Sequence, residues 1–413
     1  MGLVPCPLPC RTYSTESESN SSYHLHSDPS TSSISSQPSL PSVPSLSRQV
    51  LQQTQTTQLN CIATRKSGSA CVCSLVLAGK FLYTGLSDGE IRSWSCRDIS
   101  SNTSKPLATT NSTVKSLVIV GDKIFSAHQD HKIRVWQVNT TNEQKFKCKC
   151  IATLPTLKDR FPRLFFPNSY VQVRRHKKLT WVHHADAISA LAVSKDESLL
   201  YSASWDRTFK IWRTSDFKCL ESVSNAHEDA INAIVVSNDG FVYTGSADKK
   251  IKVWKKLIGE KHHTLVESLE KHKSAVNALA FSSDGSVLYS GACDRSILVW
   301  ERDNGGGGGM VVVGALRGHT KAILCLAVAG NLVCSGSADC SVRIWRRGVG
   351  DDRSYSCLGV LEGHRRPVKC LTVAVDFDGD DRSDYVNSFV VYSGSLDCNI
   401  KVWQIQVPLV NSI

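Results

Sequence analysis

Residues 227–254 read H-E-D-A-I-N-A-I-V-V-S-N-D-G-F-V-Y-T-G-S-A-D-K-K-I-K-V-W, and this stretch decides the fold. Two runs rich in Val, Ile and Tyr, Ala230–Ser237 and Phe241–Gly245, flank an N-D-G turn, which is typical of a β-hairpin. The S-A-D-K turn leads into a third strand, Lys250–Trp254, and a fourth is expected near Thr264–Leu269. This unit is therefore predicted to be a four-stranded antiparallel sheet, with strands a to d in chain order.

The same unit occurs seven times along the chain. Every copy carries Ser or Thr, then Gly or Ala, then three residues ending in Asp, and a Trp stands six residues after that Asp. The pairs are Asp88 and Trp94, Asp130 and Trp136, Asp206 and Trp212, Asp248 and Trp254, Asp294 and Trp300, Asp339 and Trp345, and Asp397 and Trp403. Most steps from one Trp to the next match the period of about 40–45 residues that four-stranded propeller blades have. The sequence therefore predicts an all-β fold, a seven-bladed β-propeller.

A histidine stands four residues before the first Ile or Val of five units. This pattern resembles the WD-repeat family, and the resemblance implies a hydrogen-bond network of His, Ser or Thr, Asp and Trp in each blade. Carried over to this sequence, the sets are His184, Ser202, Asp206 and Trp212; His227, Thr244, Asp248 and Trp254; His272, Ser290, Asp294 and Trp300; His319, Ser335, Asp339 and Trp345; and His364, Ser393, Asp397 and Trp403. In blades 1 and 2, Gly68 and Thr110 stand at the histidine position, so we expect these blades to be less rigid.

The recurring Ser, His and Asp invite comparison with a catalytic triad. The same trio occurs in five units, whereas an enzyme needs one nucleophile, so a structural role explains the repetition better. The sequence contains no metal-ligand motif, no Gly-rich phosphate loop and no titratable cluster outside the repeat. It thus predicts no catalytic residue, no cofactor and no metal, and it favours a binding platform over an enzyme.

The chain is predicted to divide into three parts. Residues 1–58 are rich in Ser, Thr, Pro and Gln, a composition that buries too little apolar surface to fold, so we expect a disordered tail. Residues 59–407 form the propeller, and residues 408–413 are a C-terminal tail. Because the chain ends soon after Trp403, blade 7 lacks a strand d of its own. Leu59–Thr64 (L-N-C-I-A-T) is expected to supply it and to close the ring.

One insertion, residues 157–180, separates blades 2 and 3. Residues 145–178 hold ten Lys or Arg and one Asp, so this part accounts for most of the net charge of +11. Its most basic run, R-R-H-K-K, supplies the candidate binding residues Arg174, Arg175, Lys177 and Lys178. Three interpretations stay open: a nuclear-import signal, a site for an acidic partner or phosphate, and a solvated strand edge.

Because the strands are antiparallel, the b–c and d–a connections share one face of the ring, here called the Asp-turn face. We expect the insertion there. Only blade 3 has a large aromatic, Trp205, directly before the Asp of its b–c turn, and Arg207 follows that Asp. Aromatic and Arg side chains anchor many interfaces, so both are candidates for partner binding. The alternative is that Trp205 packs beneath the insertion.

Two further insertions are expected at the opposite face. One is the acidic run Asp376–Asp384, and the other is the glycine run Gly305–Gly309. The acidic run lacks the Gly and Glu that a helix–loop–helix calcium site needs at its sixth and twelfth places, so we interpret it as a solvated loop. The molecule is therefore expected to be electrically polarised.

The insertion and its flanks, L-P-T-L-K-D-R and Y-V-Q-V-R-R-H-K-K-L-T-W-V-H-H-A-D-A-I-S, resemble the plant WD-repeat group named after jingubang, as does G-L-S-D-G at Gly85–Gly89. This resemblance implies a regulatory adaptor in plant development that negatively regulates pollen germination. Its partners would be other proteins, a transcription regulator among them. We expect a monomer in the cytoplasm, the nucleus or both, because the sequence has neither a secretion signal nor a run of 18 apolar residues.

Two other functions remain as alternatives. A protein associated with nucleic acid or a transcription complex would use the basic insertion, although charge confined to one loop counts against direct contact with nucleic acid. A substrate receptor for ubiquitin ligation is the other, and such receptors often carry Asp directly after the Trp of strand c. Here the residues after the seven Trp are Ser95, Gln137, Arg213, Lys255, Glu301, Arg346 and Gln404, which disfavours that function.

Overall fold

The computed structural model describes residues 43–48, 57–96, 104–142, 145–160, 170–174, 177–257, 259–303, 309–348, 354–375 and 386–408. Within these ranges the backbone alone is described for residues 48, 105, 139–142, 145–147, 170–174, 177–179 and 386. The acidic run and all of the glycine run except Gly309 lie outside the described residues, so the expected polarisation of the two faces stays a prediction.

The described residues form seven antiparallel four-stranded blades, and in blades 1 to 6 the four strands follow one another in chain order. Blade 1 comprises β3 Val72–Ala78, β4 Phe81–Leu86, β5 Glu90–Ser95 and β6 Lys105–Thr109. Blade 2 comprises β7 Val114–Val120, β8 Lys123–His128, β9 Ile133–Asn142 and β10 Lys145–Leu154. Blade 3 comprises β13 Ile188–Val193, β14 Leu199–Ser204, β15 Phe209–Arg213 and β16 Cys219–Val223. Blade 4 comprises β17 Ile231–Val236, β18 Val242–Ser246, β19 Ile251–Lys255 and β20 Thr264–Leu269.

Blades 5 and 6 have the same strand order, whereas the outer strand of blade 7 comes from the N-terminal side of the propeller. Three of the described segments lie outside the repeat. Blade 5 comprises β21 Val276–Phe281, β22 Val287–Ala292, β23 Ser296–Arg302 and β24 Met310–Arg317. Blade 6 comprises β25 Ile323–Ala329, β26 Leu332–Ser337, β27 Val342–Arg347 and β28 Tyr355–Leu361. Blade 7 comprises β29 Val368–Val375, β30 Val386–Ser395, β31 Asn399–Pro408 and the N-terminal strand β2 Gln58–Lys66. The segments outside the repeat are β1 Ser47–Arg48, the helix α1 Leu157–Arg160, and the hairpin of β11 Tyr170–Arg174 with β12 Lys177–Thr180.

The blades are arranged in a closed ring. The first strands of neighbouring blades contact one another in the order β3, β7, β13, β17, β21, β25, β29 and back to β3, so these strands line the inside of the ring. The core lies between blades. One cluster joins Phe125 and Ile133 of blade 2 to Ile188, Leu200 and Trp212 of blade 3. Each blade buries its apolar face only against its neighbours, which explains why the repeats fold together.

The ring is closed by the first and last parts of the propeller sequence. Strand β2 pairs antiparallel with β31, with Cys61 opposite Trp403. It contains the segment that the sequence assigns to this position, and it extends that segment at both ends. The Ser67 hydroxyl donates to the Cys398 carbonyl at 2.9 Å, which strengthens the seam between blades 7 and 1.

The structure corrects the expected N-terminal tail at one short segment. Residues 43–48 lie between the outer strands of blades 5 and 6, where β1 pairs in parallel with β28. The physical reason is local, because Val43 and Leu46 stand three residues apart and pack against the apolar clusters of these blades. The rest of the sequence up to residue 56 lies outside the described residues.

The helical content of the described residues is very small. It consists of the four residues of α1, and no described helix has the length and apolar character needed to span a bilayer.

Candidate functional site

Blade 4 shows how the repeated polar side chains meet. Imidazole Nδ1 of His227 lies 2.8 Å from Oδ2 of Asp248, and its Nε2 lies 2.8 Å from the hydroxyl of Thr244. The indole N–H of Trp254 donates to the same hydroxyl oxygen at 2.9 Å. A carboxylate can only accept, so Nδ1 donates to Asp248 and leaves Nε2 to accept from the hydroxyl.

The structure brings the four expected side chains together in the other four blades as well. Across the five sets, the distance from His Nδ1 to Asp Oδ2 is 2.8–3.2 Å, and that from His Nε2 to the hydroxyl is 2.8–2.9 Å. The Trp N–H donates to the hydroxyl at 2.8–3.0 Å. The five sets are therefore copies of one structural unit.

The Asp of each set also holds two loops of the Asp-turn face. In blade 3, one oxygen of Asp206 accepts from the backbone N–H of Thr208, within the b–c turn, at 2.9 Å. The other accepts from the backbone N–H of Ala185, in the d–a loop, at 2.7 Å. One carboxylate thus fixes both loops of its blade relative to the sheet.

Burial and hydrogen bonding fix the protonation of these groups. Burial alone would raise the pKa of Asp206, but the interaction with His184 and the hydrogen bonds from Ala185 and Thr208 outweigh it and hold that pKa well below its usual range. Burial lowers the pKa of His184, against the opposing effect of Asp206. The carboxylate is therefore charged and the imidazole neutral at neutral pH.

The geometry of these sets does not suit catalysis. Ser202 and His184 are 0% and 3% exposed, so a substrate cannot reach the hydroxyl. The hydroxyl oxygen already accepts the indole N–H of Trp212 at 2.9 Å. These buried polar groups are paired with one another, which is how a folded protein lowers the cost of burying them.

Blade 2 has a histidine in its hydrogen-bond network, whereas the sequence indicated that this network lacks one. His128, at the end of β8, places Nε2 2.7 Å from the hydroxyl of Ser126, and Trp136 donates to that hydroxyl at 2.8 Å. Nδ1 of His128 lies 3.1 Å from the carbonyl of Ser112 instead of an Asp. The premise that blade 2 lacks a histidine in its network is therefore corrected, and the lower rigidity expected for this blade stays a prediction. The signal was the histidine in F-S-A-H-Q-D, where most other blades have a small residue.

Blade 1 has the incomplete network that the sequence indicates. The indole N–H of Trp94 donates to the Thr84 hydroxyl at 3.2 Å, and Gly68 stands at the histidine position. Strand β2, which precedes Gly68, brings the guanidinium of Arg65 to 5.6 Å from the Trp94 ring centroid.

The residue after each Asp adopts a left-handed backbone. The φ angles are 90° at Gly89, 66° at His131, 69° at Arg207, 74° at Lys249, 70° at Arg295, 70° at Cys340 and 65° at Cys398. In three successive blades this position carries an exposed cation, namely Arg207, Lys249 and Arg295. Of these three residues, Arg207 alone was predicted from the sequence as a candidate for partner binding. The signal for Lys249 and Arg295 was that they occupy the same turn position as Arg207.

Trp205 connects blades 3 and 2 at the Asp-turn face. Its backbone N–H donates to the carbonyl of Ala187 at 3.0 Å, and its ring is half-buried. The ammonium of Lys115, on β7 of blade 2, lies 5.1 Å from the ring centroid. A cation held over an aromatic face is attracted by the ring quadrupole, so Trp205 and Lys115 form a preorganised pair. The side chains of residues 161–179 lie outside the description, so the alternative that Trp205 packs beneath the insertion stays untested.

The insertion begins along the side of the ring. Asp159 of α1 is buried and accepts from the backbone N–H of Cys219, the first residue of the outer strand β16, at 3.3 and 3.4 Å. This corrects the expectation that the whole insertion lies over the Asp-turn face. The physical reason is that the N–H at the outer edge of blade 3 needs an acceptor, and Asp159 supplies it.

The basic run lies at the connection of a β-hairpin. Arg174, the last residue of β11, pairs with Lys177, the first residue of β12, and Gln172 pairs with Lys178. Arg175 lies outside the described residues, and only the backbone of the other three basic residues is described. Proximity of this run to Trp205 and Arg207 therefore stays a prediction.

Comparison with known proteins gives one family match. A family model described as "WD domain, G-beta repeat" matches residues 176–213, 217–255, 263–301, 310–346 and 355–404, which belong to blades 3 to 7. The match includes all five sets with a histidine upstream of strand a.

Curated relatives share part of the chain. Jouberin from Mus musculus and Jouberin from Rattus norvegicus are 33% identical over 123 residues, which is 29% of this chain and 12% of each relative. Protein ROOT INITIATION DEFECTIVE 3 from Arabidopsis thaliana is 31% identical over 160 residues, 36% of this chain and 35% of that protein. This chain therefore covers about a third or less of the length of these relatives.

Proposed function

Because this chain is a seven-bladed β-propeller built from WD repeats, we propose that it is a non-catalytic interaction platform whose protein partners bind the Asp-turn face around blades 2 and 3. The observation that carries the proposal is the pair of Trp205 and Lys115, with exposed Arg207 two residues further on. Large aromatic and Arg side chains dominate the binding energy of many interfaces.

The backbone around these side chains supports the proposal. Asp206 accepts hydrogen bonds from both loops of blade 3, so the turn that presents Trp205 and Arg207 is rigid before a partner arrives. Preorganised side chains lose little conformational entropy when they bind. A platform of this kind needs no reactive group, which agrees with the burial of the Ser–His–Asp sets.

The test is Trp205→Ala in affinity capture of partners from cell extract, with recovered proteins quantified against wild type. We expect recovery of at least one partner to fall about tenfold or more, because truncation of an interface anchor costs about 2 kcal/mol or more. The melting temperature should stay within about 2 °C, because a half-buried side chain on a surface turn contributes little to stability.

Phe241→Ala is the matched control on the opposite face. Its half-buried ring also carries cations, with the Lys255 ammonium 4.2 Å and the Arg302 guanidinium carbon 5.4 Å from the centroid. Partner recovery should be unchanged in this variant. Full recovery with Trp205→Ala, or an equal loss in both variants, would contradict a working surface at blades 2 and 3.

A nucleic-acid function is the second candidate, favoured by the exposed cations Arg207, Lys249 and Arg295 on one face. Exposed Glu228 and Asp229 on the same face reduce that positive potential. Direct binding to DNA or RNA predicts that the affinity falls steeply as the salt concentration rises, because about one counterion is released for each phosphate contacted. Neutralising the basic run R-R-H-K-K should then reduce the salt slope, and a flat slope would exclude this function.

We further propose the regulatory role that the jingubang resemblance implies, an adaptor in plant development that acts negatively on pollen germination. One relative that matches part of this chain, Protein ROOT INITIATION DEFECTIVE 3, is a plant protein, which supports a role in plants. A monomer in the cytoplasm or nucleus that binds a transcription regulator fits this role. Loss of the gene in a plant should speed germination of pollen, and an unchanged rate would contradict the role.

A further inference from the structure

On the outer side of the ring, three of the grooves between neighbouring blades follow one rule of hydrogen bonding. A carboxylate accepts from the backbone N–H at the start of the outer strand of the following blade, or from the residue directly before that strand. Asp159 accepts from Cys219 of blade 3, Glu221 from His263 of blade 4 at 2.7 Å, and Glu267 from Met310 of blade 5 at 3.0 Å. An acceptor is needed because these N–H groups stand at the exposed edge of a sheet.

The groove between blades 5 and 6 breaks this rule at one residue. Glu221, Glu267 and Gly314 occupy equivalent places in the outer strands of blades 3, 4 and 5, opposite Ile211, Val253 and Val299 of the neighbouring strands. With glycine in blade 5, no carboxylate is available for the N–H of Tyr355 in blade 6. That N–H donates at 3.1 Å to the carbonyl of Leu46, in the N-terminal segment.

Residues 43–48 bind both sides of this groove through their backbone. Leu46 donates to the carbonyl of Ala315 at 3.0 Å, and the N–H of Ala315 donates to the carbonyl of Pro44 at 2.9 Å. The guanidinium of Arg317 donates to the carbonyl of Val43 at 2.6 Å. Such bonds recognise an extended strand of almost any sequence.

Two side chains give the groove its selectivity. Val43 is 4% exposed and packs in a cluster with Met310 and Ala315. Leu46 lies directly over Gly314, where an added Cβ would come within 2.8 Å of both leucine methyl carbons. The absence of a side chain at residue 314 therefore creates the space that a leucine fills.

We propose that the groove between blades 5 and 6 is a docking site for an extended segment of a partner protein that carries a small apolar residue and, three residues later, a leucine. Residues 43–48 (V-P-S-L-S-R) are its resident occupant. This site lies on the side of the ring, so it is independent of the function proposed for the Asp-turn face.

The energetics make the resident segment exchangeable. Burial of two apolar side chains and the hydrogen bonds to the segment favour the docked state, whereas the conformational entropy of six ordered residues opposes it. These opposing contributions nearly cancel for so short a segment, so it opens locally without unfolding of the ring. A partner segment of the same pattern then competes for the same hydrogen bonds.

The test uses the full chain and a fluorescent peptide with the sequence of residues 42–48. The substitutions Val43→Asp and Leu46→Asp together vacate the groove. We expect this variant to bind the peptide at least about tenfold more tightly than wild type, because in wild type the tethered segment competes at high effective concentration. Addition of Gly314→Val should abolish binding, whereas Val311→Ala, at a residue 46% exposed on the same strand, should leave it unchanged.

A second measurement is valid even when the vacated variant fails to fold. Gly314→Val alone should expel the resident segment, so trypsin should cleave after Arg48 several-fold faster than in wild type or in Val311→Ala. Excess peptide should accelerate the same cleavage in wild type. The proposal is overturned when the folded, vacated variant does not bind the peptide, when Gly314→Val leaves binding intact, or when neither the substitution nor the peptide changes cleavage after Arg48.

Discussion

His128 and His184 support the indole of their blades from different places in the chain. His184 stands in the d–a loop and is bonded to Asp206, whereas His128 stands at the end of a central strand and is bonded to a backbone carbonyl. In both blades Nε2 meets the hydroxyl that accepts the Trp N–H. The requirement is therefore a nitrogen at one point in the blade, and two positions in the sequence can supply it.

His128 makes a prediction about pH. Burial lowers its pKa to about 4, against about 6.5 in an unfolded chain. Between these values the unfolded chain binds more protons, so stability falls as the pH decreases through that window. From pH 7 to pH 5, wild type should lose on the order of 2 kcal/mol more unfolding free energy than His128→Asn. Denaturant melts at pH 5, 6 and 7 measure this difference.

The same variant should be less stable at pH 7 by about 1–3 kcal/mol, because the buried hydroxyl of Ser126 loses a partner. His262→Asn is the control, since that side chain is 76% exposed, and its pH dependence should follow wild type. Parallel pH profiles for wild type and His128→Asn would show that His128 is not held neutral by burial.

The sequence predicted the contacts among side chains that recur at the same place in each repeat. It did not predict contacts between side chains of different blades. The five sets were assigned through the resemblance to WD repeats, in which a Ser or Thr stands four residues before each Asp and a Trp stands six residues after it. The contact of Lys115 with Trp205 joins two blades, and no spacing in the sequence indicates it. His128 was missed because the repeat directs attention to the loop position, where blade 2 has Thr110.

Among the elements, β2 has the largest effect on the ring because it joins its two ends. A chain beginning at residue 67 lacks this strand and exposes the edge of β31. We expect it to melt about 10 °C or more below wild type, since the loss of the strand that pairs with β31 along its length costs several kcal/mol. Thermal melts followed by circular dichroism measure the change.

A chain beginning at residue 57 is the matched control. It keeps β2 and loses the residues before it, among them the segment 43–48. Its melting temperature should fall by no more than a few degrees, because the resident segment adds little net stability. Equal melting temperatures for the two truncated chains would show that β2 does not close the ring.

The elements predicted from sequence are those with a strong period. Strand β2 was identified because its residues match the fourth strand of blade 2, whereas β1 has only two strand residues and follows Pro44 by three positions. Its binding depends on Gly314, some 270 residues away, and the course of α1 depends on the N–H of Cys219. Contacts of this range are set by the closed ring and cannot be deduced from local patterns.

The whole molecule is a ring in which buried charges stabilise one face. Each of the five complete sets places its Asp beneath the Asp-turn face and uses it to hold two loops. The turns above these Asp residues carry Arg207, Lys249 and Arg295 in successive blades, and Trp205 stands two residues before Arg207. The seven-bladed fold followed from the sequence alone, but the proposed binding face could be predicted only in part, because its charges come from separate repeats.

The most direct test of the platform is hydrogen–deuterium exchange of the full chain with and without a captured partner. Binding at the proposed face predicts slower exchange in residues 129–132 and 205–208, the b–c turns of blades 2 and 3. The a–b turns of blades 3 and 4, residues 194–198 and 237–241, should exchange at the same rate in both states. Protection of the a–b turns with unchanged exchange in the b–c turns would contradict a working surface on the Asp-turn face.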